Sequence, residues 1–351
     1  MEHSKTSTGP PSIWTTRPEP GVTPKILLCL DRSELSETIL SYAVMLTKAV
    51  TGTLTLMHVV ETSGENHSSS HEVLLWELKH REARQYMEQV LKRIEGLDVA
   101  VDLQIAEGRA AEQILCFMRQ NPVDFVILAS HGTHGLTEWS LSSTAAKIIG
   151  RTHSSFVVVP STPVYQQSEL EPVVRRILVP LDDSVASQTC LPIVLRIARQ
   201  QGAELVLAHA IEPVGFSRLP GISRADQQVI KAASSILETA ARNYFDLVSQ
   251  RLRNEGLEVS VVIKSGLNPI ALMTDIIDSM NIDFVAMTAH GASRSEDYPL
   301  GRMSAHMASH TPVPLLIVQD LERDQMVKAL KRRRYDRAPL RSSKSAAGGK
   351  S

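Results

Sequence analysis

Short apolar runs alternate with longer amphipathic segments along the chain. Because continuous apolar runs are typical of strands covered on both faces, five such runs in the first half predict buried parallel strands. The predicted strands are Ile26–Leu30, Leu54–Val59, Val99–Ile105, Phe125–Ala129 and Phe156–Val159. Apolar residues at helical spacing predict the intervening helices. The predicted helices are Glu37–Val50, His71–Ile94, Ala110–Arg119 and Ser143–Thr152, the first two followed by Gly52 and Gly96 as C-caps.

The whole pattern occurs twice. Five blocks match in the same order: 25–33 with 176–184, 56–60 with 207–211, 107–108 with 265–266, 129–132 with 288–291, and 156–159 with 315–318. The offset between the copies grows from 151 to 159 residues, so the second copy has a longer connection between its second and third strands. Such self-similarity predicts a tandem duplication of one domain.

The repeat divides the chain into five parts. The prediction is a disordered N-terminal extension over 1–23, a first domain over 24–160, a linker over 161–174, a second domain over 175–319, and a short helix with a basic disordered tail over 320–351. Strands that alternate with helices predict right-handed crossovers and helices on both faces of a parallel sheet. The predicted fold is therefore α/β, with two tandem doubly wound, Rossmann-like domains of strand order 3-2-1-4-5.

That strand order makes the first and fourth strands neighbours. Ligands of such sheets bind at this switch point, outside the carboxyl ends of the strands. Asp31 and Gly132 fall there in the first copy, and Asp182 and Gly291 in the second. The repeat therefore places its most regular polar and glycine positions where a ligand would bind.

Composition is that of an ordinary globular protein. The 351 residues suffice for two domains, and 43% hydrophobic and 21% charged residues with a net charge of -1 argue against a nucleic-acid-coating protein. Three cysteines without a CxxC pair predict neither a disulfide framework nor a zinc ribbon. No run of about 18 apolar residues and no apolar leader occurs, so we expect no membrane span and a cytoplasmic location.

The strand ends resemble the universal stress protein family over both copies. The resemblance is carried by a first strand ending in Asp, a second ending in His-Val, a third followed by Gly, and a fourth leading into a Gly-bearing loop. It implies an adenine nucleotide alpha hydrolase-like fold. Nucleotide-binding members of the family carry G-x-x-G, nine residues and G-[S/T]; glycines admit phosphates to backbone N–H groups, and a helix N-terminus supplies partial positive charge.

Both copies keep this spacing but lose glycines. The first has Ala129-x-x-Gly132 and then Ser142-Ser143, and the second has Thr288-x-x-Gly291 and then Gly301-Arg302. We expect Ser142 to lack the positive-φ freedom of glycine at that corner and Thr288 to add bulk beside the base or ribose. Arg302 offers a charged partner to phosphate, whereas Glu296 and Asp297 oppose an anion.

The resemblance implies ATP or a related adenine nucleotide, with Mg²⁺ entering only with the nucleotide. The implied contacts of the first copy are Asp31, Val59, Ala129, Gly132, Ser142, Ser143 and Thr144. Those of the weaker second copy are Asp182, Ala210, Gly291, Gly301, Arg302 and Ser304. The alternative for the two aspartates is that each caps the helix that follows it.

Other candidate chemistry is weaker. His131 and His134 lack the order of a nucleotidyl transferase motif and the further ligands of a zinc site, so we predict no metal site. His58 and His209 recur at the second strand, which favours satisfied, half-buried histidines. Because no nucleophile and base recur together, we predict a binding module without catalytic residues.

The predicted function is a stress-response nucleotide-binding or scaffold protein. The alternatives are an interaction module that no longer binds nucleotide and a weak ATP hydrolase. As family members do when they dimerise, the domains are expected to pair through their last strands as an intramolecular pseudo-dimer, and a further homodimer is left open. The tail between Lys331 and Lys344 is basic, but a solvated tail is favoured over contact with nucleic acid or anionic lipid.

Overall fold

The computed structural model describes residues 23–61, 70–130, 141–160, 172–212, 224–292 and 299–320. The predicted N-terminal extension, nearly all of the linker, the tail beyond Asp320, and the loop containing Gly132, His131 and His134 lie outside these residues. Glu296 and Asp297 lie outside them as well.

The first domain alternates strands and helices. Its elements are β1 (Lys25–Leu30), α1 (Glu34–Val50), β2 (Thr53–Val60), α2 (Ser70–Ile94), β3 (Ala100–Glu107), α3 (Ala110–Gln120), β4 (Phe125–Ala129), α4 (Ser143–Ile149) and β5 (Ser155–Val159). The strands have the order β3-β2-β1-β4-β5, and all four pairs are parallel. The predicted doubly wound order is therefore confirmed.

The second domain repeats this plan. Its elements are β6 (Arg176–Pro180), a 3-10 helix (Ala186–Cys190), α5 (Leu191–Gln201), β7 (Glu204–Ile211), α6 (Arg224–Asn254), β8 (Val259–Ser265), α7 (Pro269–Ser279), β9 (Phe284–Thr288), α8 (Arg302–His310) and β10 (Leu315–Val318). Helix α6 has 31 residues where α2 has 25, which accounts for most of the longer connection in this copy.

One ten-stranded sheet runs through both domains. Strands β5 and β10 pair antiparallel, with Leu316 opposite Val157, so the last strands join as predicted. Helices α1 and α5 also pack across the boundary, where the rings of Tyr42 and Phe284 stack with centroids 6.3 Å apart. The two domains therefore share a continuous core on each face of the sheet. One face is covered by α1, α2, α5 and α6, and the other by α3, α4, α7 and α8.

The central strands are buried on both faces, but β3 is not. Leu27 and Leu28 in β1 are fully buried on opposite faces. In β3, by contrast, Asp102 is exposed and Leu103 is 42% exposed. The prediction that this strand is covered on both faces is wrong, because β3 is an edge strand with a neighbour on one side only.

Two predicted helix ends are also corrected. After α1 the left-handed residue is Thr51, with φ 51°, whereas Gly52 is needed because a Cβ there would lie 2.6 Å from the Pro24 carbonyl oxygen. Helix α4 ends at Ile149, not at Thr152. The hydroxyl of Thr152 instead accepts a hydrogen bond from Ser154 N–H at 3.0 Å, which fixes the turn into β5.

Candidate functional sites at the two switch points

The strand-end aspartates form the same local turn in both domains. Asp31 Oδ1 accepts hydrogen bonds from Ser33 N–H at 3.0 Å and from the Ser33 hydroxyl at 2.5 Å. Asp182 Oδ1 does the same with Ser184, at 3.2 and 2.6 Å. Each carboxylate thus stabilises, through its Oδ1 atom, the turn that leads into the next helix. For this oxygen the structure agrees with the alternative that the aspartate caps the following helix.

The residue after each aspartate has a left-handed backbone. Arg32 has φ 66° and Asp183 has φ 62°, a region that costs a non-glycine residue about 1–2 kcal/mol. Aspartate adopts this region more readily than most residues do, whereas arginine gives no such signal. The repeat therefore preserves a strained backbone at both strand ends while reversing the charge that it carries, from Arg32 to Asp183.

The second oxygen of Asp182 links the end of β6 to the loop after β9 at the switch point of the second domain. Asp182 Oδ2 accepts a hydrogen bond from Ala292 N–H at 2.5 Å. A Cβ on Gly291 would overlap this same oxygen, so the glycine is required for the approach of the carboxylate to the loop. The end of β6 and the loop after β9 are therefore in direct contact through Asp182.

These contacts also set the protonation of Asp182. Burial by itself would raise the pKa of the carboxyl group, but the hydrogen bonds from Ser184, Ala292 and Ser187 outweigh it and lower the pKa below its usual value. Asp182 is therefore ionised at neutral pH. In the first domain Asp31 is exposed, and its described hydrogen bonds come from Ser33.

In each domain a histidine of the second strand forms a hydrogen bond with a backbone carbonyl at the end of the first strand. His58 Nδ1 lies 2.8 Å from the Leu30 carbonyl oxygen, and His209 Nδ1 lies 2.7 Å from that of Leu181. Because a carbonyl only accepts, Nδ1 carries the proton in both rings. Burial lowers the pKa of His58, and the charge of Arg32 adds to this effect. These hydrogen bonds confirm the prediction of satisfied histidines.

The corner before the last helix has the same backbone in both copies. Ser142 N–H donates to the Ser130 carbonyl at 2.6 Å, and Gly301 N–H donates to that of Ala289 at 2.8 Å. Their φ values are -55° and -68°, so the expectation that this corner needs a positive φ is wrong. Serine fits an extended corner, and Ser142 Oγ additionally caps α4 by accepting from Ala145 N–H at 3.1 Å.

The other first-domain residues that the family resemblance implies as nucleotide contacts differ in exposure. Ser143 is exposed at the start of α4, and Thr144 is half-buried beside it. Ala129 is half-buried at the end of β4, whereas Val59 is buried in the core at 9% exposure. The structure thus brings Ser142, Ser143 and Thr144 together at the start of α4.

In the second domain two hydroxyl groups donate hydrogen bonds to backbone carbonyls just after β9. Ser304 is 2% exposed and donates to the Ala289 carbonyl at 2.6 Å, while Thr288 is buried and donates to the His290 carbonyl at 2.7 Å. Arg302 is exposed at the first position of α8, and Ala210 is half-buried at the end of β7. Ser304 and Thr288 therefore fix the strand end, and Arg302 faces solvent.

A buried histidine–carboxylate pair was not anticipated from the sequence. Asp320 Oδ1 accepts hydrogen bonds from His290 Nδ1 at 2.8 Å and from His290 N–H at 3.1 Å, and the two side chains are 1% and 2% exposed. The corresponding residue of the first copy is Ser161. This departure from the repeat, at the first residue after the second domain, was the available signal.

Two further expectations concern a metal site and a membrane span. Among the residues described, no group of three or more His, Cys, Asp or Glu side chains is arranged to hold a metal ion. None of the helices in the described ranges is long and apolar enough to cross a bilayer.

Comparison with known proteins identifies the family. The model described as "Universal stress protein family" matches residues 23–160 and again residues 174–319. The chain belongs to the universal stress protein family. A universal stress protein of Methanocaldococcus jannaschii is 23% identical over 154 residues, which are 41% of this chain and 94% of the relative.

Solved structures of universal stress proteins share the fold. One from Archaeoglobus fulgidus covers 85% of this chain and 98% of its own, with a TM-score of 0.57 and 18% identity. Another universal stress protein, solved in complex with cAMP, covers 43% of this chain and 100% of its own, with a TM-score of 0.31 and 18% identity. The likeness to the Archaeoglobus fulgidus structure shows the shared fold.

Proposed function

We propose that this universal stress protein is a stress-response binding and scaffold protein whose first domain binds an adenine nucleotide, ATP above all. The observation that carries the proposal is the difference between the two strand-end aspartates. Asp31 is exposed, whereas Asp182 is hydrogen-bonded to the loop after β9. An exposed carboxylate at a switch point can accept hydrogen bonds from ribose hydroxyls.

Charge favours the same domain. Arg32 follows Asp31, whereas Asp183 follows Asp182, so the second strand end has two carboxylates where the first has a carboxylate and a guanidinium. Arg32 pairs with Glu82 at 3.2 Å, but both side chains are about half exposed, and such surface pairs contribute only about 0.2–1 kcal/mol. The guanidinium can therefore exchange Glu82 for a phosphate at little cost. Mg²⁺ is proposed only as the companion of the nucleotide.

The start of α4 is the proposed binding site for the phosphates. Exposed Ser143 and half-buried Thr144 lie beside Ser142, whose backbone is fixed to the end of β4. Hydroxyls and the first N–H groups of a helix are suited to phosphate oxygens. The proposed set is Asp31, Ala129, Gly132, Ser142, Ser143 and Thr144, with Val59 packing beneath. In the second domain, Gly291, Gly301, Arg302 and Ala210 are proposed as a scaffold rather than a second nucleotide site.

A second function has a specific observation in its favour. The contact between Asp182 and the Gly291–Ala292 loop shows that this fold closes a switch point with its own side chain. If Asp31 makes the same kind of contact with the loop after β4, neither domain binds nucleotide and the protein is an interaction module. Pairing through β5 and β10 serves either function, since it joins the domains as an intramolecular pair.

Isothermal titration with Mg-ATP, ADP and AMP separates the two functions. We expect one site per chain, and we expect Asp31→Ala to weaken it at least about tenfold, because a hydrogen bond to a charged group contributes about 1.5–3 kcal/mol. Asp182→Ala is the matched control and should keep the affinity of the folded protein. Absence of binding by the unaltered chain at high micromolar nucleotide would leave the interaction module. Phosphate release that disappears with Asp31→Ala would establish a hydrolase instead.

A further inference from the structure

A row of apolar side chains lies on the solvent side of helix α6. Val229 and Ile236 are 68% and 69% exposed, Ala240 is exposed, and Ala233 is half-buried. These four residues are spaced by four, three and four positions, which keeps their side chains on one side of a helix. We call Val229, Ala233, Ile236 and Ala240 the outer row.

The outer row is distinct from the side of α6 that packs on the sheet. The buried residues of this helix are Ala241, Phe245, Val248 and Leu252. At about 100° per residue, the outer row lies about 120° around the helix from this buried row. The helix therefore has a second apolar side that the core of its own domain does not use, and exposed apolar surface of this kind marks an interaction site.

The residue sizes along the outer row are complementary to a second copy of the same row. Alternating spacings of three and four residues are those of the contact positions of a coiled coil. If two copies of α6 pair antiparallel about the point between residues 234 and 235, Val229 lies opposite Ala240 of the second copy, and Ala233 lies opposite Ile236. A branched side chain then faces an alanine in every layer, which fills the space between the helices without overlap.

The residues that flank the outer row carry no charge. They are Ile230 and Leu237 on one side and Ala232 and Thr239 on the other. In antiparallel pairing each flank meets the same flank of the second copy, so two copies meet no like charges there. A strongly acidic or basic partner would find no complementary charge at these positions.

The first domain does not repeat the alternation of large and small residues. When α2 and α6 are aligned on their buried rows, Leu75 and Glu82 occupy the positions of Ala233 and Ala240. Glu82 forms an ion pair with Arg32. The self-complementary row is therefore particular to the second domain and is not a consequence of the shared fold.

We propose that two copies of this chain associate through an antiparallel contact between their α6 helices. Four layers of side chains form a contact at the small end of protein interfaces, so the dimer is a weak one that dissociates in the micromolar range. The contact is separate from the pairing of β5 with β10, which joins the two domains within one chain. It does not depend on nucleotide binding.

Sedimentation velocity of the full, tag-free chain over about 1–100 μM tests the association. We expect a monomer–dimer equilibrium that Ile236→Glu weakens at least about tenfold, because the dimer would bury two carboxylates against alanine. Leu78→Glu is the matched control, since Leu78 is 41% exposed at the corresponding position of α2. It should leave the equilibrium unchanged. Glutamate favours helix, so circular dichroism should show both variants folded.

Disulfide trapping tests the antiparallel arrangement. Val229→Cys and Ala240→Cys chains, mixed in a glutathione redox buffer, should form a disulfide-linked heterodimer. Neither variant alone should do so, because antiparallel pairing separates the two copies of position 229 by about 17 Å along the helix axis, beyond the reach of a disulfide. Linkage of each variant to itself in preference to the other would overturn the proposed arrangement.

Two further outcomes would contradict the proposal. One is equal association of the unaltered chain and the Ile236→Glu variant, which would place any dimer contact elsewhere. The other is a chain that stays monomeric over the whole concentration range. If that monomer bound to phosphatidylcholine vesicles and Ile236→Glu did not, the outer row would be a lipid-binding surface instead.

Discussion

At the end of β1 in the first domain Asp31 is exposed, whereas at the end of β6 in the second Asp182 is hydrogen-bonded to the loop after β9. The backbones around them agree, since both domains have a left-handed residue after the aspartate and an extended corner before the last helix. The two switch points therefore share their backbone geometry, while Asp31 is exposed and Asp182 is hydrogen-bonded to a loop of its own domain.

The largest effect is expected from Gly291→Ala. Its Cβ would overlap Asp182 Oδ2, so the variant must break the bond to Ala292 or shift the loop, at a cost of about 3 kcal/mol. Chemical denaturation gives the free energy of unfolding. Gly266→Ala is the control, because its Cβ would meet only the flexible Leu272 side chain. In Asp182→Ala/Gly291→Ala the losses should be less than additive; full additivity would mean that the two residues do not interact.

The next effect is expected from Asp320→Ala. The change leaves the buried Nδ1–H and backbone N–H of His290 without this acceptor, and such a loss costs about 2 kcal/mol. Ser161→Ala, at the corresponding position of the first copy, is the matched control. Thermal unfolding followed by circular dichroism compares the two variants, and equal midpoints would show that the extra pair does not stabilise the second domain.

Asp182→Ala should cost about 1–2 kcal/mol at neutral pH, more than Asp31→Ala, because the carboxylate accepts hydrogen bonds from both Ser184 and Ala292. The pKa of Asp182 is lowered by folding, so its contribution is fully present above the unfolded pKa of about 3.9 and is lost as pH falls through the lower folded pKa. Urea unfolding from pH 7 to pH 3 measures this. A difference between the variant and the unaltered protein that grows toward acid pH would contradict the assignment.

The smallest effect is expected at the corner before α4. Ser142→Gly should cost only a few tenths of a kcal/mol, since glycine adopts the same extended backbone at Gly301. Ser142→Ala should cost about 1 kcal/mol, because the cap to Ala145 N–H is lost. Differential scanning calorimetry of both variants makes the comparison. Stabilisation by Ser142→Gly would restore the view that this corner favours a positive φ.

Local sequence determined most of the architecture. Apolar runs such as Phe125–Ala129 are short, regular and punctuated by polar turns, so their number and order define a doubly wound sheet without tertiary information. The offset of 151 residues, which is constant over the first two matched blocks, likewise located both strand-end aspartates. The exposure of β3 escaped the pattern, because an edge strand with apolar residues such as Leu103 has the composition of a central one.

Only the tertiary structure decided what each site residue does. Asp31 and Asp182 are the same amino acid in matching segments, yet Asp31 is exposed, whereas Asp182 accepts a hydrogen bond from Ala292, which is 110 residues away from it. The left-handed backbone of Arg32 gives no sign in the local sequence, and the departure from the repeat at Asp320 does not reveal that its partner is His290. Hydrophobic periodicity is a short-range property that a sequence displays directly, whereas hydrogen bonds between distant segments exist only after the strands have been brought together.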